Sequence, residues 1–233
     1  SWYKNWANLY PEQNTMANWK FLMPDKNKLP LYLKKADQGV FYSFEESEKI
    51  AYFHINSFWD DCPNFKERVN DFNEKLKTKR DYNVVIDLRF HTGGDYTYSN
   101  KLATKPPKII NDDSKVFLIT SNMTYSAAIV TAARVKYYAK EKIVVAGEEV
   151  GDRLKFWAES KACTLPNSGI KIYNPIKEHD WRDNKRNIFR THFANFLYGV
   201  AAKDLKLDKE IGISFKDYQE NKDPILEWII KQK

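Results

Sequence analysis

Val84-Val85-Ile86-Asp87-Leu88-Arg89, running through Phe90-His91-Thr92 into Gly93-Gly94, decides how this chain is built. Apolar residues on consecutive positions mark a strand covered on both faces. The paired glycines beyond it let the backbone turn tightly. Two further runs of this kind follow. Residues 116–120 (VFLIT) lead through Ser121-Asn122-Met123-Thr124-Tyr125 to Ser126 and the helix-prone stretch 127–139, and residues 143–146 (IVVA) end at Gly147. Strand, helix and strand recur, so the economical reading is an α/β fold with mainly parallel central strands.

Outward from this centre, residues 39–45 (GVFYSFE) and 49–58 (KIAYFHINSF) carry β-branched and aromatic residues on either side of Glu46-Ser47-Glu48, which predicts a hairpin with His54 inside its second strand. Phe65, Val69, Phe72 and Leu76 form an apolar stripe on a helix over 64–79 that should pack on the sheet. Beyond Gly151, short strands at 154–157, 162–165 and 170–173 with the turn former Pro166-Asn167-Ser168-Gly169 predict additional hairpin strands. Asp223-Pro224 opens a last helix with Ile225, Leu226, Ile229 and Ile230 on one side. Pro11, Pro24 and Pro30 interrupt the beginning, so residues 1–38 read as an irregular or helical segment and residues 39–233 as one folded domain.

A length of 233 residues suffices for one sizeable core and excludes a short disulfide framework. Lys and Arg number 38 against 31 Asp and Glu, a surplus of 7 that favours solubility and is no nucleic-acid signature. Cys62 and Cys163 can form one bridge if the fold joins them, but neither has zinc-type spacing. Scattered histidines and cysteines give no support to a metal site, and no cofactor is expected. No apolar run reaches the roughly 18–20 residues of a membrane span. The beginning, Ser1-Trp2-Tyr3-Lys4, has neither an initiator Met nor a signal-like core, so a processed or partial chain is expected.

Ligands of open α/β sheets sit beyond the carboxyl ends of the strands. Two places there carry chemistry. Gly93-Gly94 can present backbone amides to a substrate without a side chain in the way, or be a plain turn. Ser126 either caps the helix that follows or stands at its N-terminus as a nucleophile, where free amides favour a developing oxyanion. If the glycine turn lies beside Ser126, two amides can converge on one oxygen.

The segments IDLRFHTGG (86–94), TYSAA (124–128) and VVAGEEVGD (144–152), with IGISFKDYQENKDPILEWI (211–229) at the end, resemble peptidase family S41, the tail-specific or C-terminal processing serine proteases. The resemblance implies a crotonase/ClpP-like catalytic domain, akin to the tricorn core, over 39–233. It also implies serine endopeptidase activity on unfolded or C-terminal polypeptide segments, and an extracytoplasmic location. Residue by residue it implies Ser126 as nucleophile, the Gly94 and Ala127 amides as oxyanion hole, Gly93 in the turn, and Asp87 and Arg89 as structural positions. His91 stands where the family more often has Asn, and a ring nitrogen can preserve that local hydrogen bond.

The general base is left open. Processing proteases place a lysine about 25 residues after the nucleophile; here that residue is Gly151, followed by Asp152 and by Arg153, which stays protonated. Lys155 is the nearest lysine downstream. With four histidines, His179 beside Asp180 is the best imidazole base, on a loop reaching over the strand ends, and His91 is next. The alternative is a catalytically inactive peptide-binding domain on the same fold; an acyl-thioester enzyme is a third possibility. Glu148, Glu149 and Glu159 read as solvent-facing acids, with Glu148 anchoring a loop or orienting a base under the resemblance. Tyr125, Trp157 and Trp181 can line a peptide groove, while Arg134, Lys136, Lys140 and Lys142 read as a solvated helix face. The oligomeric state is not fixed by the sequence.

Overall fold

The computed structural model describes residues 28–35, 38–56, 64–183 and 187–232. In chain order these form α1 (Leu31–Lys34), β1 (Val40–Glu45), β2 (Ile50–Ile55), α2 (Phe65–Leu76), β3 (Asn83–Asp87), α3 (Asn100–Thr104), α4 (Pro106–Ile109), β4 (Val116–Thr120), α5 (Ala127–Ala139), β5 (Ile143–Gly147), β6 (Lys155–Thr164), β7 (Lys171–Asp180), α6 (Phe193–Tyr198), β8 (Lys209–Glu210), α7 (Phe215–Gln219) and α8 (Pro224–Ile230). One sheet runs β1-β2-β3-β4-β5-β8, and β6 and β7 form a second sheet of their own. β1 and β2 are an antiparallel hairpin, β2, β3, β4, β5 and β8 pair in parallel, and β6 and β7 pair antiparallel. The mainly parallel α/β architecture read from the sequence is the one observed.

Alternation along each strand explains why these runs are apolar throughout. Val84 and Ile86, with Val116 and Leu118, face one core shared with Phe65, Val69, Phe72 and Leu76 of α2. Val85, Phe117 and Ile119 face the opposite core, which Ile225 and Ile229 of α8 close. Both faces of the sheet are therefore dry, the condition that consecutive apolar residues satisfy.

α5 is buried over most of its length. Its Ala127, Ala132, Val135 and Ala139 pack towards the sheet. Its Ile129, Val130 and Ala133 pack against Leu154, Phe156 and Trp181 at the base of the second sheet. The helix thus lies between the main sheet and the β6–β7 hairpin, and its first turn faces the space between them. Arg134 departs from the solvated helix face expected of it: it is fully buried, bonds Asn100 and Ser99, and lies over the Tyr198 ring at 3.9 Å. Trp181 is likewise core, not groove.

The region beyond Gly151 is more regular than its sequence suggests. The predicted short strands are two ten-residue strands whose register pairs Phe156 with His179 and Thr164 with Lys171. His179 consequently sits in a strand rather than a loop. Among the described residues no helix is long and apolar enough to cross a membrane. Cys163 is exposed, and Cys62, with any bridge to it, lies outside the described residues, as do residues 1–27.

Candidate active site

β3 and β4 are parallel neighbours, so the loops leaving their carboxyl ends emerge side by side. Hydrogen bonds lace these loops together. Leu88 donates its N–H to the Ile119 carbonyl at 2.9 Å, the Thr124 hydroxyl donates to the Leu88 carbonyl at 2.9 Å, and Tyr125 N–H donates to the His91 carbonyl at 3.1 Å. The Ser121 hydroxyl adds a bond to the Arg89 carbonyl. This lacing brings Gly93 against Ser126: a Cβ at Gly93 would stand 3.1 Å from Ser126 Cβ and 3.4 Å from its Oγ. With φ of 136° and 117°, Gly93 and Gly94 both adopt backbone that side chains oppose.

His91 fixes the turn from beneath. Its ring is fully buried, and Nδ1 accepts the Gly93 N–H at 3.3 Å. Burial, with a smaller contribution from His54, pushes its pKa down to about 3. A neutral, enclosed imidazole is suited to positioning the turn and has no access to a substrate proton. His91→Asn should keep an acceptor for Gly93 and most of the stability; His91→Phe should lose about 1–3 kcal/mol, the cost of leaving a buried donor unpaired, in urea unfolding.

Ser126 begins α5 without capping it. Its hydroxyl accepts no bond from the first turn, and its backbone holds φ 54° and ψ −119°. A non-glycine residue there is strained by about 1–3 kcal/mol. A sharp strand-to-helix turn of this kind exposes a nucleophilic serine in α/β hydrolases. The half-buried Ser126 lines a cavity of about 380 Å³ together with Gly94, Tyr96, Ala127, Phe156, Glu159 and His179. Among the described residues neither the Gly94 nor the Ala127 N–H donates a hydrogen bond.

His179 enters this cavity from β7, 1% exposed, with its ring stacked on Phe156 at 5.0 Å and on His192 at 4.6 Å. Burial, then repulsion from His192, pushes its pKa down to about 4, so it is neutral at pH 7. Glu159 Oε1 lies 3.3 Å from His179 Nε2 and 3.7 Å from His192 Nε2. The carboxylate reaches them because Glu159 takes φ 55° in the middle of β6, which breaks the strand's alternation and places it on the cavity side with Ala158 and Ser160.

The remaining predicted residues lie elsewhere. Lys155 pairs with Glu178 at 3.3 Å and lines a neighbouring cleft with Arg153, Arg182 and Lys203. Glu148 lines a pocket on the other side of the Ser121–Met123 loop, with Arg89, Phe90 and Tyr218. Gly151, where a processing protease has its lysine, donates its N–H to the Thr124 carbonyl at 3.0 Å, and a Cβ there would stand 2.2 Å from the Asn122 carbonyl oxygen. The serine loop therefore occupies the space a side chain would need. Gly151→Lys is expected to destabilise the fold by at least the roughly 1–3 kcal/mol of an overpacked site, read as a lowered denaturation midpoint, and not to raise activity.

The sheet order, the paired loops and this cavity define an α/β protein with the architecture of the S41 peptidases. Residues 49–108, covering β2 through the glycine turn to α4, match the model of peptidase family S41; the match includes the IDLRFHTGG segment and ends before Ser126. Among solved structures, a candidate peptidase from Parabacteroides merdae aligns with a TM-score of 0.52 at 17% identity, over 96% of this chain and 72% of that one. Mature CPAF, solved with lactacystin, aligns with a TM-score of 0.51 at 9% identity, over 82% of this chain and 53% of that one. Tricorn protease gives 0.47 at 18% identity, over 80% of this chain and 18% of that one. At these identities the likeness to the first two is one of fold. No curated protein sequence matches the chain.

Proposed function

We propose that this chain is a serine endopeptidase that works through an acyl-enzyme. Ser126 Oγ attacks the peptide carbonyl carbon while a ring nitrogen of His179 takes the hydroxyl proton. The N–H groups of Gly94 and Ala127 receive the resulting oxyanion. Collapse breaks the C–N bond, and the proton on His179 passes to the leaving amine. A water molecule then hydrolyses the Ser126 ester by the same route. Glu159, 3.3 Å from His179 Nε2, stabilises the protonated imidazole by its charge. Unfolded or C-terminal polypeptide segments are the substrates, and the protein acts outside the cytoplasm; both points rest on the S41 resemblance.

The observation that carries this reading is a serine whose hydroxyl does not cap its helix, on a strained turn, sharing one cavity with a neutral histidine and with two amides that donate to none of the described residues. A fluorophosphonate probe tests it: stoichiometric capture at Ser126, lost in His179→Gln, supports the endopeptidase. Peptide binding without capture would assign the cavity to a peptide-binding domain that has lost turnover.

The pH profile checks the base. Activity needs the neutral imidazole, whose pKa stands at about 4. kcat/KM should therefore climb with pH to a midpoint near 4 and stay level through neutrality. An acid limb centred at 6.5 or above would assign the proton transfer to another group.

A further inference from the structure

The structure assigns a second capacity to this cavity: we propose that Glu159, His179 and His192 bind a zinc-class transition-metal dication, and that the ion switches the serine site off. The three side chains offer ligand atoms all within 4.8 Å of one another, and the His179 and His192 Nε2 atoms stand 3.3 and 3.7 Å from the same Glu159 oxygen. Tetrahedral zinc, with bonds of about 2.0–2.1 Å to nitrogen and oxygen, spaces its ligands roughly 3.3 Å apart. The cluster therefore approximates one face of a coordination tetrahedron, with the cavity on its open side.

His179 supplies the independent sign of a ligand. It is 1% exposed, yet neither ring nitrogen makes a hydrogen bond among the described residues, since Glu159 lies within reach but outside hydrogen-bond geometry. A buried imidazole with two unsatisfied nitrogens gains an interaction when a metal ion arrives. Two imidazoles and one carboxylate form a donor set that suits zinc and its neighbours and is poorly matched to calcium or magnesium.

Binding has two structural costs. The rings are nearly parallel, 17° apart, so they must fan open for both Nε2 lone pairs to meet one ion. His192, the less buried of the two, must also present its Nδ1 as a donor to the Tyr96 hydroxyl, giving up the bond it accepts from Ala194 at the start of α6. These rearrangements make the site reversible rather than structural. The inhibitory part rests on the endopeptidase reading: with Nε2 on the metal, a neutral His179 carries its proton on Nδ1, and no lone pair remains for Ser126.

Cobalt(II) titration of the purified chain tests the site without reference to activity. One ion per chain should bind with the visible spectrum of tetrahedral nitrogen and oxygen coordination, without a thiolate charge-transfer band, and zinc should displace it. Glu159→Gln, at an exposed position, and His192→Gln, checked for an unchanged fold by circular dichroism, should each weaken binding by more than the roughly 10–100-fold caused by losing a partner behind a ligand; Cys163→Ser should change nothing. Unaltered affinity in both ligand variants, a thiolate band, or no tetrahedral spectrum overturns the site. Zinc should also slow fluorophosphonate capture by the parent chain. Tight zinc binding with undiminished capture removes the inhibitory claim, whereas tight binding with no capture even in metal-free protein removes the endopeptidase reading and leaves the metal site standing.

Discussion

Ser126→Gly should abolish covalent capture and peptide cleavage while making the protein more stable. The strain at φ 54° and ψ −119° amounts to about 1–3 kcal/mol for a residue with a Cβ, and glycine releases it. Glycine gives back about 0.5–1 kcal/mol through the greater freedom of its unfolded chain. A net gain of about 1 kcal/mol remains, which for a chain of this length raises Tm by roughly 2–4 °C. Ser126→Ala retains the strain and should be near neutral in stability. Loss of the nucleophile should cost both variants about four to six orders of magnitude in turnover.

Lys140 makes the experiment discriminating. At the other end of α5 it holds almost the same backbone, φ 51° and ψ −124°, on the exposed surface and away from the cavity. Strain alone therefore does not mark the site; strain combined with the cavity, the glycine turn and His179 does. Lys140→Gly should gain similar stability with no loss of capture. If Lys140→Gly is stabilising and Ser126→Gly is not, the strain at Ser126 is not what the backbone angles imply. If Ser126→Gly still turns over peptide, another nucleophile is at work.

The parallel core was legible because its signal is local. Val84 to Ile86 and Val116 to Ile119 are buried on both faces, and that requirement writes itself into consecutive positions. Ser126 and Gly93-Gly94 were legible for a related reason, since topology alone puts the ends of adjacent parallel strands together. Glu159 and His192 were not: they lie 20 and 13 residues from His179 and meet it through a hairpin register, a packed helix start and a left-handed residue inside a strand. A usable signal did exist. The turn Pro166-Asn167-Ser168-Gly169 sets the register of any hairpin around it, and extending that register pairs Phe156 with His179. Reading 154–157 and 170–173 as separate short strands hid that pairing. Arg134 misled in the opposite way. Its charged neighbours suggested solvent, but its two terminal nitrogens donate to Ser99, Asn100 and the Tyr96 carbonyl within the fold.

Asp223→Ala should cost about 3–5 kcal/mol, the largest stability loss expected of any single truncation here, because it strands one end of a buried ionic network. Arg89, 1% exposed, donates to both oxygens of Asp223 at 3.1 and 2.9 Å, donates to Asp87 at 3.0 Å, and lies over Tyr32 at 4.5 Å. Asp87 in turn accepts from the Tyr52 hydroxyl, and His54 Nδ1 lies 3.5 Å away. Burial would raise the Asp87 pKa, but Arg89 and His54 outweigh it and hold the carboxyl well below the usual range. Such a network need not stabilise the fold more than apolar packing would. Breaking it is costly because the guanidinium can neither shed its proton nor reach water. For a chain of this length the loss corresponds to a fall in Tm of roughly 6–20 °C. Asp223 also caps α8 by accepting from Leu226 N–H, so Asp223→Asn, which keeps a cap oxygen, should recover the roughly 0.5–2 kcal/mol of the cap and little else.

The pH dependence has a definite sign. Asp87 has a lowered folded pKa, so its contribution is present above its unfolded value near 4 and disappears as pH falls towards the folded value. His91 and His179, depressed to about 3 and about 4, favour the fold above their unfolded value near 6.5 and lose that contribution on the way down. Stability should therefore decline steadily from pH 6.5 to 3. The consequence reaches the site, because the Leu88 and Arg89 carbonyls that hold the serine loop belong to the segment this network anchors. Asp223→Ala, studied well below its own Tm, should slow capture at Ser126 although Asp223 is not among the residues lining the Ser126 cavity. Unchanged capture together with a stability loss below about 1 kcal/mol would show that the network neither carries the fold nor sets the position of the nucleophile.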